Sequence, residues 1–295
     1  MRRALHPVDV VITAYFVIMT VIVILGGASW WFVAIGAAIV GVDWLLAWLS
    51  HARDSRGVRF LHYWYPVVAV LGAFLELKYI VPAVHNFDDR RYDLALAALD
   101  ERWFGGVLEL CRKAAWPPLV DALHLCYWSY FPLPIVLGIG LWRRGEFVRF
   151  RQVVTTLLCA WYLSYLGYVF VPAVGPHHVV DGPRDPAFDG WVVGGVLHKY
   201  LMFLEGTMPD AFPSGHALIA MVALLLAWKH HRTLFWWLLP IGTGLWLSTM
   251  ALRYHYVVDV VGSIAVMPLA FILGKVVFER WERGNPGPPT EVRTR

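Results

Sequence analysis

The sequence predicts an all-α fold, a polytopic membrane helix bundle of about eight spans. Three observations predict it. Of 295 residues, 59% are hydrophobic and only 16% charged, the mean hydropathy is +0.57, and apolar runs long enough to cross a bilayer recur along the chain. Soluble globular domains do not sustain that composition.

The first run, near 8–27, follows Met-Arg-Arg, but no small-x-small cleavage site follows it and a second run, near 30–49, begins almost at once, so it reads as a span. The third, near 63–84, carries Glu76 and Lys78; a structural pair and a lining of the substrate entrance are both open readings. In the loop that follows, about 85–116, Leu96, Leu99, Trp103, Val107 and Leu110 fall at helical spacing, with Asp93, Asp100 and Glu101 elsewhere on the wheel. That pattern fits a helix lying on the membrane surface or one packed over the bundle. Spans near 117–141 and 150–171 come next, then a second long loop, about 172–212, then spans near 213–229, 234–252 and 256–278. The tail GNPGPPTEVRTR is rich in proline, glycine and charge and reads as disordered. Many of the sixteen tryptophans, such as Trp30, Trp31, Trp116 and Trp142, sit near span ends as an aromatic belt.

The net charge of +4 has a topological explanation. Basic residues gather at Arg2 and Arg3, in HARDSRGVR, in RRGEFVRFR and in KHHR, all in segments on one side of the spans. The positive-inside rule makes that side cytoplasmic and, with it, both termini. The two long loops then face outward. Scattered in this way, the basic residues form no continuous stripe, which argues against nucleic-acid binding. Cys111, Cys126 and Cys159 have neither metal nor redox spacing.

Three polar clusters fall at the outer ends of spans: GPHH at 175–178, PSGH at 213–216 and RYHYVVD at 253–259. Titratable residues near membrane depth are costly unless paired, so they mark a candidate site. His255 and Asp259 are four residues apart, which on a helix lets the carboxylate accept the imidazole Nδ1 proton and leaves Nε2 outward as a nucleophile or base. A buried pair that only pins the helix has the same spacing. In PSGH, proline fits a helix start, Ser214 can cap it, Gly215 leaves backbone N–H groups open to an anion, and His216 can donate a proton. Ordinary capping accounts equally for those residues taken alone.

PSGH followed one helical hairpin later by H-x-x-x-D resembles the type 2 phosphatidic acid phosphatase superfamily, whose signatures are K-x6-R-P, P-S-G-H and S-R-x5-H-x3-D. The resemblance implies that His255 attacks phosphorus, Asp259 orients it and His216 protonates the leaving oxygen, with Ser214 and Gly215 binding phosphate. It implies a six-span catalytic core over 61–280, preceded by two additional spans in 1–60 and followed by a disordered cytoplasmic tail, 281–295. The chain departs from the signatures. The Ser-Arg of the third falls on Ser248-Thr249, which leaves Arg253 as the nearby substitute. Aligning the first motif's Arg-Pro with Gly175-Pro176 puts Tyr168 where its lysine belongs. FVPAVGP, with an arginine shortly before HYVVD, looks like the inositol phosphorylceramide synthase branch and its bacterial relatives. His177 and His178, following the proline, are candidate phosphate or polyol ligands, with Arg184 and Lys199 weaker ones.

What the resemblance implies is an integral membrane phosphotransferase. It would move a phosphoryl-containing head group, such as inositol phosphate, from a phospholipid or lipid-phosphate donor to a lipid or polyol acceptor. No cofactor and no metal is implied. A phosphatase using water as acceptor employs the same residues, and a lipid transporter or inactive scaffold is the reading from another class. The expected setting is a bacterial cell membrane with the site extracytoplasmic.

Overall fold

The computed structural model describes residues 5–53, 55–85, 91–179, 185–206 and 208–284. The tail from 285 onward and Arg184 lie outside them. All regular structure among the described residues is helical, and the chain is an integral membrane protein. The helices are α1 (Pro7–Leu25), α2 (Trp30–Ala52), α3 (Arg56–Val84), α4 (Arg91–Phe104), α5 (Val107–Ala114), α6 (Pro117–Tyr127), α7 (Pro132–Arg143), α8 (Phe147–Phe170), α9 (Pro176–Val179), α10 (Gly194–Glu205), α11 (Gly215–His230), α12 (Arg232–Ala251) and α13 (Val257–Gly284).

Six of these, α1, α2, α3, α8, α12 and α13, are long and apolar enough to cross a membrane. The other two expected spans differ. The fourth is broken into α6 and α7, bent by 56°, where Pro132 opens the second piece and cannot donate back into the first. The sixth is α11, with 16 residues, roughly 24 Å at 1.5 Å per residue. That falls short of a hydrocarbon core about 30 Å thick.

The chain divides into two compact units, one made of residues 1–86, 138–162 and 269–295, the other of 87–137 and 163–268. In the first, α1 starts at Pro7, its missing N–H being one that no helical partner needs. Asp9 takes the backbone N–H of His6 at 2.7 Å, and Trp44 donates from α2 to Thr13 of α1 at 2.9 Å. Gly36 is obligatory in α2 because a Cβ there would meet the ring of Phe16.

The second unit holds all three polar clusters. Its second long loop is tied down by a carboxylate. Asp121 on α6 accepts from the backbone of Val192, Val193 and Gly194 at 2.7, 3.2 and 2.8 Å, capping the start of α10. Helix α4 packs against the rest of this unit through the N-terminal part of the apolar stripe. Leu96 sits in a core with Ala173, Ala211, Tyr256 and Val258. Trp103 and Leu110 remain exposed.

Candidate active site

The candidate site is assembled from the start of α11, the turn that precedes α13 and the first turn of α13. Ser214 caps α11, its Oγ accepting from Ala217 N at 3.2 Å. Its own N–H donates to the carbonyl of Asp259 at 3.1 Å, and Ser263 Oγ lies 2.7 Å from the Ser214 carbonyl and 2.9 Å from that of Asp259. These bonds fix one helix start against the other, and with them His216 against His255.

His255 does not lie on α13. It precedes the helix, in a turn where Arg253 has a left-handed φ of 63° and His255 N donates to the Thr249 carbonyl at 2.9 Å. The helical stacking expected of His255 and Asp259 is therefore replaced by another arrangement. Asp259 occupies the third position of α13, where its Oδ2 accepts from Tyr256 N at 2.8 Å as a helix-capping carboxylate. It lies 3.5 Å from His255 Nδ1. The shorter partner of Nδ1 is the Ala211 carbonyl, at 2.9 Å. A carbonyl only accepts, so Nδ1 carries the proton and the neutral ring keeps its lone pair on Nε2.

His216, in the first turn of α11, is buried between the rings of Tyr127 and Tyr130, with centroids 4.3 and 4.1 Å away. Its ring centroid is 5.7 Å from that of His255. Gly215 is demanded by packing, since a Cβ there would collide with the Tyr168 hydroxyl. That hydroxyl is hydrogen-bonded with Ser164 and with the Gly215 backbone. Tyr168 stands where the first motif's lysine would be, and its hydroxyl therefore lies beside the PSGH turn.

Gly175 has a φ of 92°, and a Cβ on it would run into the Tyr254 carbonyl, which explains a glycine before Pro176. Asp93, reaching from α4, accepts from Val174 N and Gly175 N at 3.1 Å each and from the Tyr256 hydroxyl at 3.2 Å. The turn presents His177 and His178 to a cavity of about 20 Å³, lined also by His255, Asp210, Tyr127, Tyr254 and Glu205. This is room for roughly one water molecule, so a phosphate can enter only if the lining moves. His178 Nε2 donates to the Gly206 carbonyl at 3.0 Å; burial holds its pKa below the usual imidazole value, with that bond and the charge of Asp93 acting the other way. Burial pushes the Asp210 carboxyl up to about 6, with His255 pulling it down.

His255, His177 and His178 thus share one cavity, and His216 and Asp259 sit beside His255. Arg253 is not in the cavity lining; it is near enough to Asp100 for its charge to be felt there. Lys199 is exposed on α10 and also absent from the lining. Sequence reasoning gave no site role to Asp93, Asp100 or Asp210, and placed Tyr168 only as the residue standing for the first motif's lysine. A signal existed for the first two: at about 100° per residue, positions seven apart share a helix face. Asp93 and Asp100 therefore project together at the edge of the apolar stripe.

A family model of the PAP2 superfamily matches residues 94–273, from α4 into α13. The chain belongs to the PAP2 superfamily. Members of this superfamily are lipid phosphatases and phosphotransferases, and this PAP2 protein is a membrane enzyme of that kind, with lipid phosphates as the substrate class. Its PSGH turn, His255 and Asp259 all lie within the matched segment, whereas α1, α2 and α3 lie outside it. Neither a curated protein nor a solved structure matches it.

Proposed function

We propose that this PAP2 enzyme transfers a phosphoryl-containing head group between lipids, or from a lipid to a polyol, through a covalent bond to His255. The observation that carries the reading is the pairing of His255 and His216. Nδ1 of His255 is committed to a carbonyl, which leaves Nε2 as the nucleophile, and a second imidazole stands one ring away. In the first step the Nε2–P bond forms as the P–O bond to the departing alcohol breaks, and His216 gives that oxygen its proton. In the second, His216 takes the proton of the acceptor hydroxyl, the new P–O bond forms and the N–P bond breaks. Asp259, close to Nδ1, favours the positive charge that develops on His255. Ser214, Gly215, His177, His178 and Arg253 are the proposed phosphate and head-group contacts, and the reaction needs mainly positioning and charge stabilisation from them.

The VGPHH turn and the arginine before HYVVD support the inositol phosphorylceramide synthase-like branch, and so inositol phosphate as the transferred group. Hydrolysis with water in place of the acceptor hydroxyl uses the same atoms. The experiment is a leaving-group comparison in detergent. An alkoxide needs a proton to leave, whereas a nitrophenolate does not. His255→Ala should be inactive on both a lipid phosphodiester and a nitrophenyl phosphodiester. His216→Ala should lose ~10²- to 10⁴-fold on the lipid and recover part of its rate on the nitrophenyl substrate. The opposite pattern, with His255→Ala active on the nitrophenyl substrate, exchanges the two roles. Mass analysis of lipid products from a phospholipid panel, with and without inositol, separates transfer from hydrolysis.

A further inference from the structure

Far from PSGH in sequence, and outside the segment matched by the family model, three buried titratable side chains converge in the first unit. Asp9 lies in the first turn of α1, Asp43 in α2 and His62 in α3, at 2%, 0% and 2% exposure. One donor atom from each lies within 4.8 Å of the other two.

The hydrogen bonds around them do not balance the charge. Ser50 Oγ donates to the Ala47 carbonyl at 2.9 Å, so its one proton is used. In the Nδ1–H tautomer of His62 the serine accepts from Nδ1 at 3.2 Å. That tautomer turns the lone pair of Nε2 toward the Asp9 carboxylate, whose oxygens are 3.1 and 3.0 Å away, whereas the other tautomer donates from Nε2 to it. Between Nε2 and Asp9 there is thus room for a proton in the second tautomer and for a cation in the first. Asp43 adds a second carboxylate, buried with no hydrogen-bond partner on either oxygen among the described residues. An uncompensated buried carboxylate costs several kcal/mol.

We propose that Asp9, Asp43 and His62 bind one divalent transition-metal ion, Zn²⁺ or Mn²⁺, which links α1, α2 and α3. Two carboxylates and a neutral imidazole sum to the charge that such an ion cancels, and one nitrogen with carboxylate oxygens suits these metals. An ion about 2.0–2.2 Å from each donor sets the donors roughly 3–4 Å apart, within reach of side-chain adjustment. Ser50 is the positioning residue, since its acceptor oxygen fixes the His62 tautomer with Nε2 toward the ion. His6 stacks on the His62 ring at 4.5 Å and shields one face of it.

The test uses the full chain, purified in detergent with any histidine tag removed, stripped with chelator, equilibrated with Zn²⁺ or Mn²⁺ separately and desalted. Mass spectrometry of bound metal should find about one ion per chain of at least one metal, and that metal should raise the thermal unfolding temperature. Asp43→Asn and His62→Gln should lose both effects, and Ser50→Ala should weaken binding ~10- to 100-fold. Failure of the wild type to retain either metal would mean that protons alone balance the cluster, and overturns the site. Wild-type stoichiometry in Asp43→Asn or His62→Gln overturns the assignment equally. If those two variants do not fold, the wild-type count and the Ser50→Ala affinity decide, because Ser50→Ala keeps all three ligands.

Discussion

At the scale of single residues, the PSGH turn shows how one side chain can be asked for two reasons at once. Gly215 reads in sequence as an opening for an anion, yet its space is filled by the Tyr168 hydroxyl. Tyrosine offers a hydrogen-bond donor without charge where the superfamily signature has lysine, so the proposed phosphate clamp would rely on neutral donors and imidazoles at that corner. The contact makes a prediction. Gly215→Ala should be strongly destabilised, because the added methyl and the hydroxyl cannot both be accommodated. Tyr168→Phe removes the oxygen, and Gly215→Ala/Tyr168→Phe should regain part of the loss, with a coupling of ~0.5–3 kcal/mol expected for residues in contact. Thermal unfolding of the four proteins measures it; strictly additive effects would show that Tyr168 and Gly215 do not meet.

At the scale of elements, α4 anchors the turn that lines the cavity, since Asp93 is the shared acceptor for Val174 N, Gly175 N and the Tyr256 hydroxyl. Asp93→Ala leaves those donors unpaired, at ~1–3 kcal/mol for each one that stays buried. It should lower the melting temperature and depress turnover, because the VGPHH turn loses its anchor. Unchanged melting and turnover in Asp93→Ala would sink this role for α4. The same element marks what the sequence could show. Hydropathy located α1, α2, α3, α8, α12 and α13, because apolar length is a local property. The start of α11 was also legible, from proline and a capping serine. The position of His255 was not: i, i+4 spacing suggests one helix, but Asp259 spends its Oδ2 on the cap and the helix begins at Val257, after His255. The use of Asp93 by Val174 and Gly175, some eighty residues away, depends on tertiary packing that no local pattern encodes.

At the scale of the whole molecule, the charge of the short loops and the shortness of α11 bear on one question, where the site lies across the bilayer. If Lys229, His230 and His231 hold the end of α11 at the cytoplasmic surface, a helix of roughly 24 Å begins several ångströms inside a hydrocarbon core of about 30 Å. Ser214 and His216 are then recessed beneath the outer surface, and a lipid phosphate must descend to reach them. The topology is testable in a background with Cys111, Cys126 and Cys159 replaced by alanine, by installing Trp191→Cys or Lys229→Cys. Trp191 is 76% exposed in the second long loop, and Lys229 is exposed at the end of α11. A membrane-impermeant maleimide added to intact cells should label the cysteine at 191 and leave that at 229 unlabelled until the membrane is opened. Labelling of 229 from outside would invert the bundle and place PSGH, His255 and the cavity on the cytoplasmic side, where the lipid donors reaching the site would come from the inner leaflet.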